Sequence, residues 1–202
     1  MIVRGARVRS SDVPHVALTF DDGPDPRWTP AVVAALRAAD ATATFFVLGD
    51  CVRRHPDVVK AALADGHAVE VHADHHTSHA DMTRADAAAD LDRVLDVLDG
   101  LGVRPARWRT PWGIEADWTR ALAAEHGLEV VGWTADTKDW RGDPAAAMLA
   151  AVLPDLRDGA IVLAHDGLGP GALRDGCDET VALVAPLVAA ARERGLEPGA
   201  LR

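Results

Sequence analysis

The segment His15-Val16-Ala17-Leu18-Thr19-Phe20-Asp21-Asp22-Gly23-Pro24 decides how the rest of the chain is read. His15–Phe20 is an apolar, β-prone run of buried-strand length. It stops at two adjacent carboxylates followed by Gly-Pro, a turn former. Shortly after, Thr29-Pro30 gives the cap-then-proline signal of a helix expected to reach about Ala39. Strand, polar turn and helix in that order begin a βα unit.

The rhythm continues. Strands are expected at Ala43–Val47, His67–His72, Ala106–Arg109, Leu128–Trp133 and Ala160–His165. Helices are expected at Pro56–Ala64, Asp86–Leu101, Trp118–His126, from the Asp143-Pro144 cap to about Leu156, and at Thr180–Arg194. About six or seven tandem βα units argue for an α/β fold with a parallel sheet and helices outside, as a barrel or a doubly wound sheet. No linker or composition shift divides residues 1–202, so a single domain is expected.

Bulk composition narrows the function. The chain carries 21 basic and 31 acidic residues, a formal charge of −10. That charge disfavours nucleic acid and anionic membrane surfaces as partners. No apolar stretch reaches membrane-spanning length, and no protein partner is evident. Met1–Pro14 holds three Arg and no apolar core, unlike a secretory signal, so a cytoplasmic location is expected. Cys51 and Cys177 are expected to be reduced. The chain has six Trp, three Phe and no Tyr, so some Trp should line a pocket or core.

The unusual polar residues gather at strand C-terminal ends: Asp21 and Asp22, His72, Arg109, Asp136 and Asp139, then His165. In barrels and open α/β sheets that edge carries the active site. Adjacent carboxylates repel each other, and a metal ion with a guanidinium would offset the repulsion. Four of the nine histidines fall within His72–His79, a density that packing explains poorly and metal ligation explains well. Two HxxxH registers are open, His72/His76 and His75/His79. Neither encloses the Glu of a thermolysin-like helix. Arg109 could orient an aspartate through a bidentate contact. The Pro111 turn could offer backbone N–H groups to an oxyanion. Asp139 paired with His165 would raise the imidazole's proton affinity and suit it to general-acid work.

Together the motifs Thr19–Pro24 (TFDDGP), Gly66-His67 with HxxxH, Arg109–Gly113 (RTPWG), Asp136–Trp140 (DTKDW) and Leu163–His165 (LAH) resemble the polysaccharide deacetylase family, carbohydrate esterase family four. Ala43–Val47 is similar to that family's second strand. The resemblance implies a distorted (β/α) barrel with fewer than eight strands. It implies Asp22, His72 and His76 as ligands of zinc, or of cobalt or another divalent ion. Aligning on Gly66-His67 favours that register; aligning on the tail after His79 would favour His75/His79. Asp21 is then the base held by Arg109, and His165 the acid tuned by Asp139. Trp112 would offer its N–H to the oxyanion, Leu163 would wall the acetyl pocket, and Trp140 would contact substrate. The implied activity is removal of N-acetyl groups from an amino sugar, oligosaccharide or small conjugate. The alternatives are a non-sugar amide or O-acetyl ester substrate, or a catalytically silent sugar-binding barrel.

Overall fold

The structure, a computed structural model, describes residues 13–202. The expectation about Met1–Pro14 therefore falls almost wholly outside the described residues. The strands are β1 (His15–Asp21), β2 (Thr44–Leu48), β3 (Ala68–Ala73), β4 (Arg107–Trp108), β5 (Glu129–Val130), β6 (Ala135–Asp136), β7 (Ala160–His165) and β8 (Glu197–Gly199). The helices are α1 (Trp28–Ala38), α2 (Gly49–Arg54), α3 (Pro56–Ala64), α4 (Arg84–Asp99), α5 (Thr119–Glu125), α6 (Ala145–Val152) and α7 (Asp178–Glu193).

Alternation along the strands builds the architecture. Val16, Leu18 and Phe20 of β1, Val69 and Val71 of β3, and Val162 and Ala164 of β7 all join one apolar core. Successive strand residues point to opposite faces. The other face therefore carries Thr19, Asp21, Glu70, His72, Leu163 and His165. One side of the sheet packs under the helices, and the other is a polar interior.

The strand order is β5-β4-β3-β2-β1-β7-β6, and every neighbouring pair is parallel. These seven strands form a curled half-barrel, as expected. β8 adds beside them, pairing the first half of β1 from His15↔Glu197 to Ala17↔Gly199. The curl follows from chain length. Only Val131–Thr134 separate β5 at one edge from β6 at the other, and the chain can span at most roughly 17 Å over that stretch. Val131 N–H donates to Trp108 O at 3.0 Å on one edge, and Thr134 N–H to Ile161 O at 2.9 Å on the other. Leu128–Trp133 is thus not one strand. Its residues leave one edge and bridge to the opposite one.

Helix entries also differ from expectation. Thr29 lies inside α1, where its hydroxyl donates to Asp166; Asp25 Oδ1 instead accepts the Arg27 and Trp28 N–H groups, both at 2.8 Å. Asp143 does not cap α6; Glu179 of α7 accepts the Ala145 N–H at 2.8 Å. α4 begins two residues early because Thr83 and Asp86 form a reciprocal capping box.

Candidate active site

Asp21 and Asp22 leave β1 in different directions. Asp21 keeps the strand's alternation and enters the interior, 3 % exposed. There Arg109 Nη1 donates to Asp21 Oδ1 at 2.8 Å and to Thr19 Oγ1 at 2.7 Å. Arg109 Nη2 turns away to Gly132 O at 2.9 Å. The expected bidentate contact is therefore a single one, and the second arm ties down the bridge between the sheet edges. The guanidinium is fully buried, with its Cζ 4.1 Å from the Phe46 ring centroid. Asp22 breaks the alternation with φ 75°. Gly167 and Gly169 press against it so closely that a Cβ on either would meet Asp22 atoms at 2.6 or 2.1 Å.

That turn aims Asp22 at two imidazoles. His72 Nε2 lies 3.4 Å and His76 Nε2 3.3 Å from Asp22 Oδ1. His72 Nδ1 is 2.7 Å from Arg109 O, so it is the protonated nitrogen and leaves Nε2 free to ligate. Asp22 Oδ1 is buried with no hydrogen-bond donor of its own. The three ligand atoms lie within 4.8 Å of one another. Such a set of one carboxylate and two imidazoles could hold a divalent ion and leave positions open. The cluster attracts positive charge. Burial pushes the His72 imidazolium down, and the carboxylates of Asp22 and Asp21 outweigh burial and raise it. Burial likewise pushes Asp22 up, but contact with His72 and the charges of His165 and His76 hold it at about 2.

His75 and His79 lie outside that group. His79 is 3 % exposed, its ring between Trp108 and Trp118, with Nδ1 2.9 Å from Thr119 Oγ1. Burial pushes its pKa down to about 4. His75 is solvent-facing beside Asp74.

Across the interior, His165 Nδ1 sits 2.7 Å from Asp139 Oδ1, and the His165 N–H donates to Asp139 Oδ2 at 2.9 Å. Burial would lower the imidazolium, but the Asp139 hydrogen bond and charge, helped by Asp22 and Asp21, lift it to about 9. Its Nε2 remains for the cavity. That cavity of about 350 Å³ is lined by Asp21, Asp22, His72, His76 and His165, with Trp112, Trp140 and Leu163 on its walls. Trp112 adopts φ 55° and packs edge-on against His76 at 4.2 Å between ring centroids. Every residue singled out from the sequence for catalysis or substrate contact, and the His72/His76 pair, is thus at or beside one cavity, whereas His75 and His79 do not line it.

Residues 9–131 match a family model described as polysaccharide deacetylase. The chain belongs to the polysaccharide deacetylase family. A chitooligosaccharide deacetylase from Bradyrhizobium is 37% identical over 193 residues, covering 90% of this chain and 86% of the relative. A peptidoglycan-N-acetylglucosamine deacetylase, PgdA from Listeria monocytogenes, is 37% identical over 75% of this chain, which spans 32% of that longer protein. Among solved structures, a family 4 carbohydrate esterase from Streptomyces lividans in complex with acetate superposes with a TM-score of 0.83. It is 28% identical, covering 92% of each chain.

Within this polysaccharide deacetylase fold, one cation escaped the sequence reading. Arg174 Nη1 donates to Asp139 Oδ2 at 2.9 Å, and its Nη2 donates to the carbonyls of His165 and Gly167 at 3.1 and 3.2 Å. Thr180 Oγ1 donates to the same Asp139 oxygen at 2.8 Å. The only signal in the sequence is an arginine inside a Gly- and Pro-rich loop just after His165. Asp166 was also passed over. It is 1 % exposed, and burial raises its pKa to about 7.

Proposed function

We propose that this chain hydrolyses the N-acetyl group of an amino sugar, with Asp22, His72 and His76 holding a divalent ion, zinc first among the candidates. The observation that carries the reading is the buried, donor-less Asp22 Oδ1 facing two imidazole nitrogens, a few ångströms from an arginine-held carboxylate. The activities named for the Bradyrhizobium and Listeria relatives support the substrate class. The fully equipped acid–base pair speaks against a silent sugar-binding barrel.

An ion held by Asp22, His72 and His76 would supply Lewis-acid polarisation and would acidify water in the cavity. Asp21, oriented by Arg109, takes a proton from the attacking water as its oxygen bonds to the acyl carbon. The Trp112 backbone N–H steadies the developing oxyanion. His165 is charged at neutral pH and presents Nε2, so it delivers a proton to the departing nitrogen as the C–N bond breaks. Acetate and a free amine result. Leu163 bounds the space for the acetyl methyl, and Trp112 and Trp140 offer faces to sugar rings.

The test is acetate release from N-acetylglucosamine oligomers of defined length by zinc-loaded protein, with a simple O-acetyl ester and a non-sugar acetamide in parallel. Sugar amides should be preferred by kcat/KM. Hydrolysis of the ester or acetamide with none of the oligomers would overturn the substrate class. An Asp21→Asn variant retaining full activity would overturn the proposed base.

A further inference from the structure

Two ligand residues sit on rigid or strongly turned backbone, but His76 does not. It follows β3 in an irregular stretch, and something must fix that stretch before His76 can face Asp22. The structure shows what does. Asp90 of α4 reaches over with both oxygens: Oδ2 accepts the Asp74 N–H at 2.7 Å and Oδ1 the His75 N–H at 3.1 Å. The Asp74 side chain, fully buried, turns the other way. Its Oδ1 accepts from Arg53 of α2 at 2.6 Å and its Oδ2 from Arg93 of α4 at 2.8 Å. Arg93 also bridges back to Asp90 at 3.3 Å. The Asp74 carbonyl takes the Asp50 N–H at 3.2 Å. Gly49 leaves the room this needs, since a Cβ there would lie 2.3 Å from Asp74 Oδ1.

We infer that Asp90 and Asp74 are positioning residues for the ligand loop, presetting His76 opposite Asp22 before an ion binds. The inference rests on the metal reading proposed above. Neither carboxylate touches the cavity, so neither is catalytic. A buried carboxylate that accepts two consecutive backbone N–H groups fixes both peptide planes, and therefore the direction in which the next residue leaves. Two carboxylates and two guanidiniums make the cluster charge-balanced, which keeps its burial tolerable. Its effect on the site should be geometric, changing ligand placement and leaving the acid–base groups alone.

Metal-free wild type and Asp90→Asn are titrated with zinc in competition with a chromophoric chelator, and their cobalt forms are compared by visible absorption. An amide can accept only through one oxygen, so one of the two N–H groups loses its partner. Zinc affinity is expected to fall roughly 10–100-fold, the usual effect of losing a group that supports a metal ligand. The cobalt spectrum should change, while the alkaline limb of kcat/KM stays in place. A folded Asp90→Asn with wild-type zinc affinity overturns the inference alone. Absence of zinc or cobalt binding by wild type overturns the metal reading as well. Gly49→Ala crowds the other carboxylate, Asp74, from α2 and should also weaken zinc binding. If neither variant folds, hydrogen exchange on metal-free wild type decides. The Asp74 and His75 amides must be protected without metal, and exchange at the rate of an open loop overturns the inference.

Discussion

Asp139→Asn is expected to move the alkaline limb of kcat/KM toward acid by about two pH units or more. In the native chain burial disfavours the His165 imidazolium, yet the Asp139 hydrogen bond and charge, then the charges of Asp22 and Asp21, carry its pKa to about 9. The ordinary value is 6.5. That difference corresponds to about 3 kcal/mol of preference for the charged ring. Asparagine keeps a hydrogen-bond acceptor but removes the charge, so burial then prevails and the pKa falls below the ordinary value. Arg174 would also be left beside the ring without its carboxylate, adding in the same direction. At pH 7.5 the native acid is almost wholly protonated and the variant's is less than about a tenth so, giving at least a tenfold loss from acid availability alone. An ion at Asp22 cancels part of that carboxylate's help in both proteins. The separation between the two limbs is therefore the quantity to measure.

The sign also fixes a stability test. A histidine whose folded pKa is raised stabilises the fold fully below its unfolded pKa, and the contribution is lost as pH rises through the folded value. Native stability should therefore decline between about pH 6.5 and 9, and Asp139→Asn should lack that decline. The checks are a pH–rate profile and, in metal-free protein, an NMR titration of the His165 ring. Coincident limbs in the two proteins, or a variant limb displaced toward alkali, would refute the assignment of His165 as an acid tuned by Asp139.

Three further outcomes follow from the geometry. His79→Ala should cost about 2–4 kcal/mol of stability, by emptying the space between Trp108 and Trp118 and removing the imidazole partner of the Thr119 hydroxyl, which keeps the Ala116 N–H. It should leave zinc affinity unchanged, as should His75→Ala; loss of affinity in either, by competition titration, would reopen the ligand register. Gly169→Ala places a Cβ where Asp22 Oδ2 now lies, so zinc affinity should drop at least tenfold while the fold persists by circular dichroism. Asp166→Asn should remove a pH dependence: a buried carboxyl at about 7 binds a proton that the unfolded chain releases near 3.8, so native stability falls between those values by about 4 kcal/mol. Denaturant melts across that window should show the slope in wild type and a smaller one in the variant.

The sequence exposed most where chemistry and local structure coincide. β1 and β7 end on, and β3 carries one residue before its end, a polar residue that no buried strand would otherwise carry, and this located Asp21, His165 and His72 at once. Spacing alone left the ligand register open, because His72/His76 and His75/His79 share it; the strand-end place of His72 and the family resemblance both favoured the first pair. What separates the two pairs in the structure lies far away in sequence: Trp108, Trp118 and Thr119 absorb His79. Arg174 was illegible for the same reason, since its partner Asp139 lies 35 residues away and its loop has no periodicity. β8 was missed because Glu197-Pro198-Gly199 carries no apolar alternation. The bridge Val131–Thr134 was read as part of a strand because its composition is strand-like. Only the need to join two sheet edges makes it a crossing.

Three carboxylates crowd the turn after β1, and each is tolerated by a different device. Asp21 faces a buried guanidinium at 2.8 Å. Asp22 faces two imidazoles and is shaped to face a cation. Asp166, packed against Gly23 and bonded to the Thr29 hydroxyl, has no cation partner among the described residues, and burial brings it to the edge of neutrality. These devices are not interchangeable. A guanidinium on Asp22 would fill the ligand position, and an imidazole pair on Asp21 would compete with the attacking water for its free oxygen. The left-handed backbone at Asp22 is what allows the division, since it takes the second carboxylate out of the strand's alternation and away from Arg109. That conformation in turn requires a close approach from the far side, which Gly167 and Gly169 permit. The paired aspartates can thus take the opposite jobs proposed for them because glycines in a loop some 145 residues on leave them room to part.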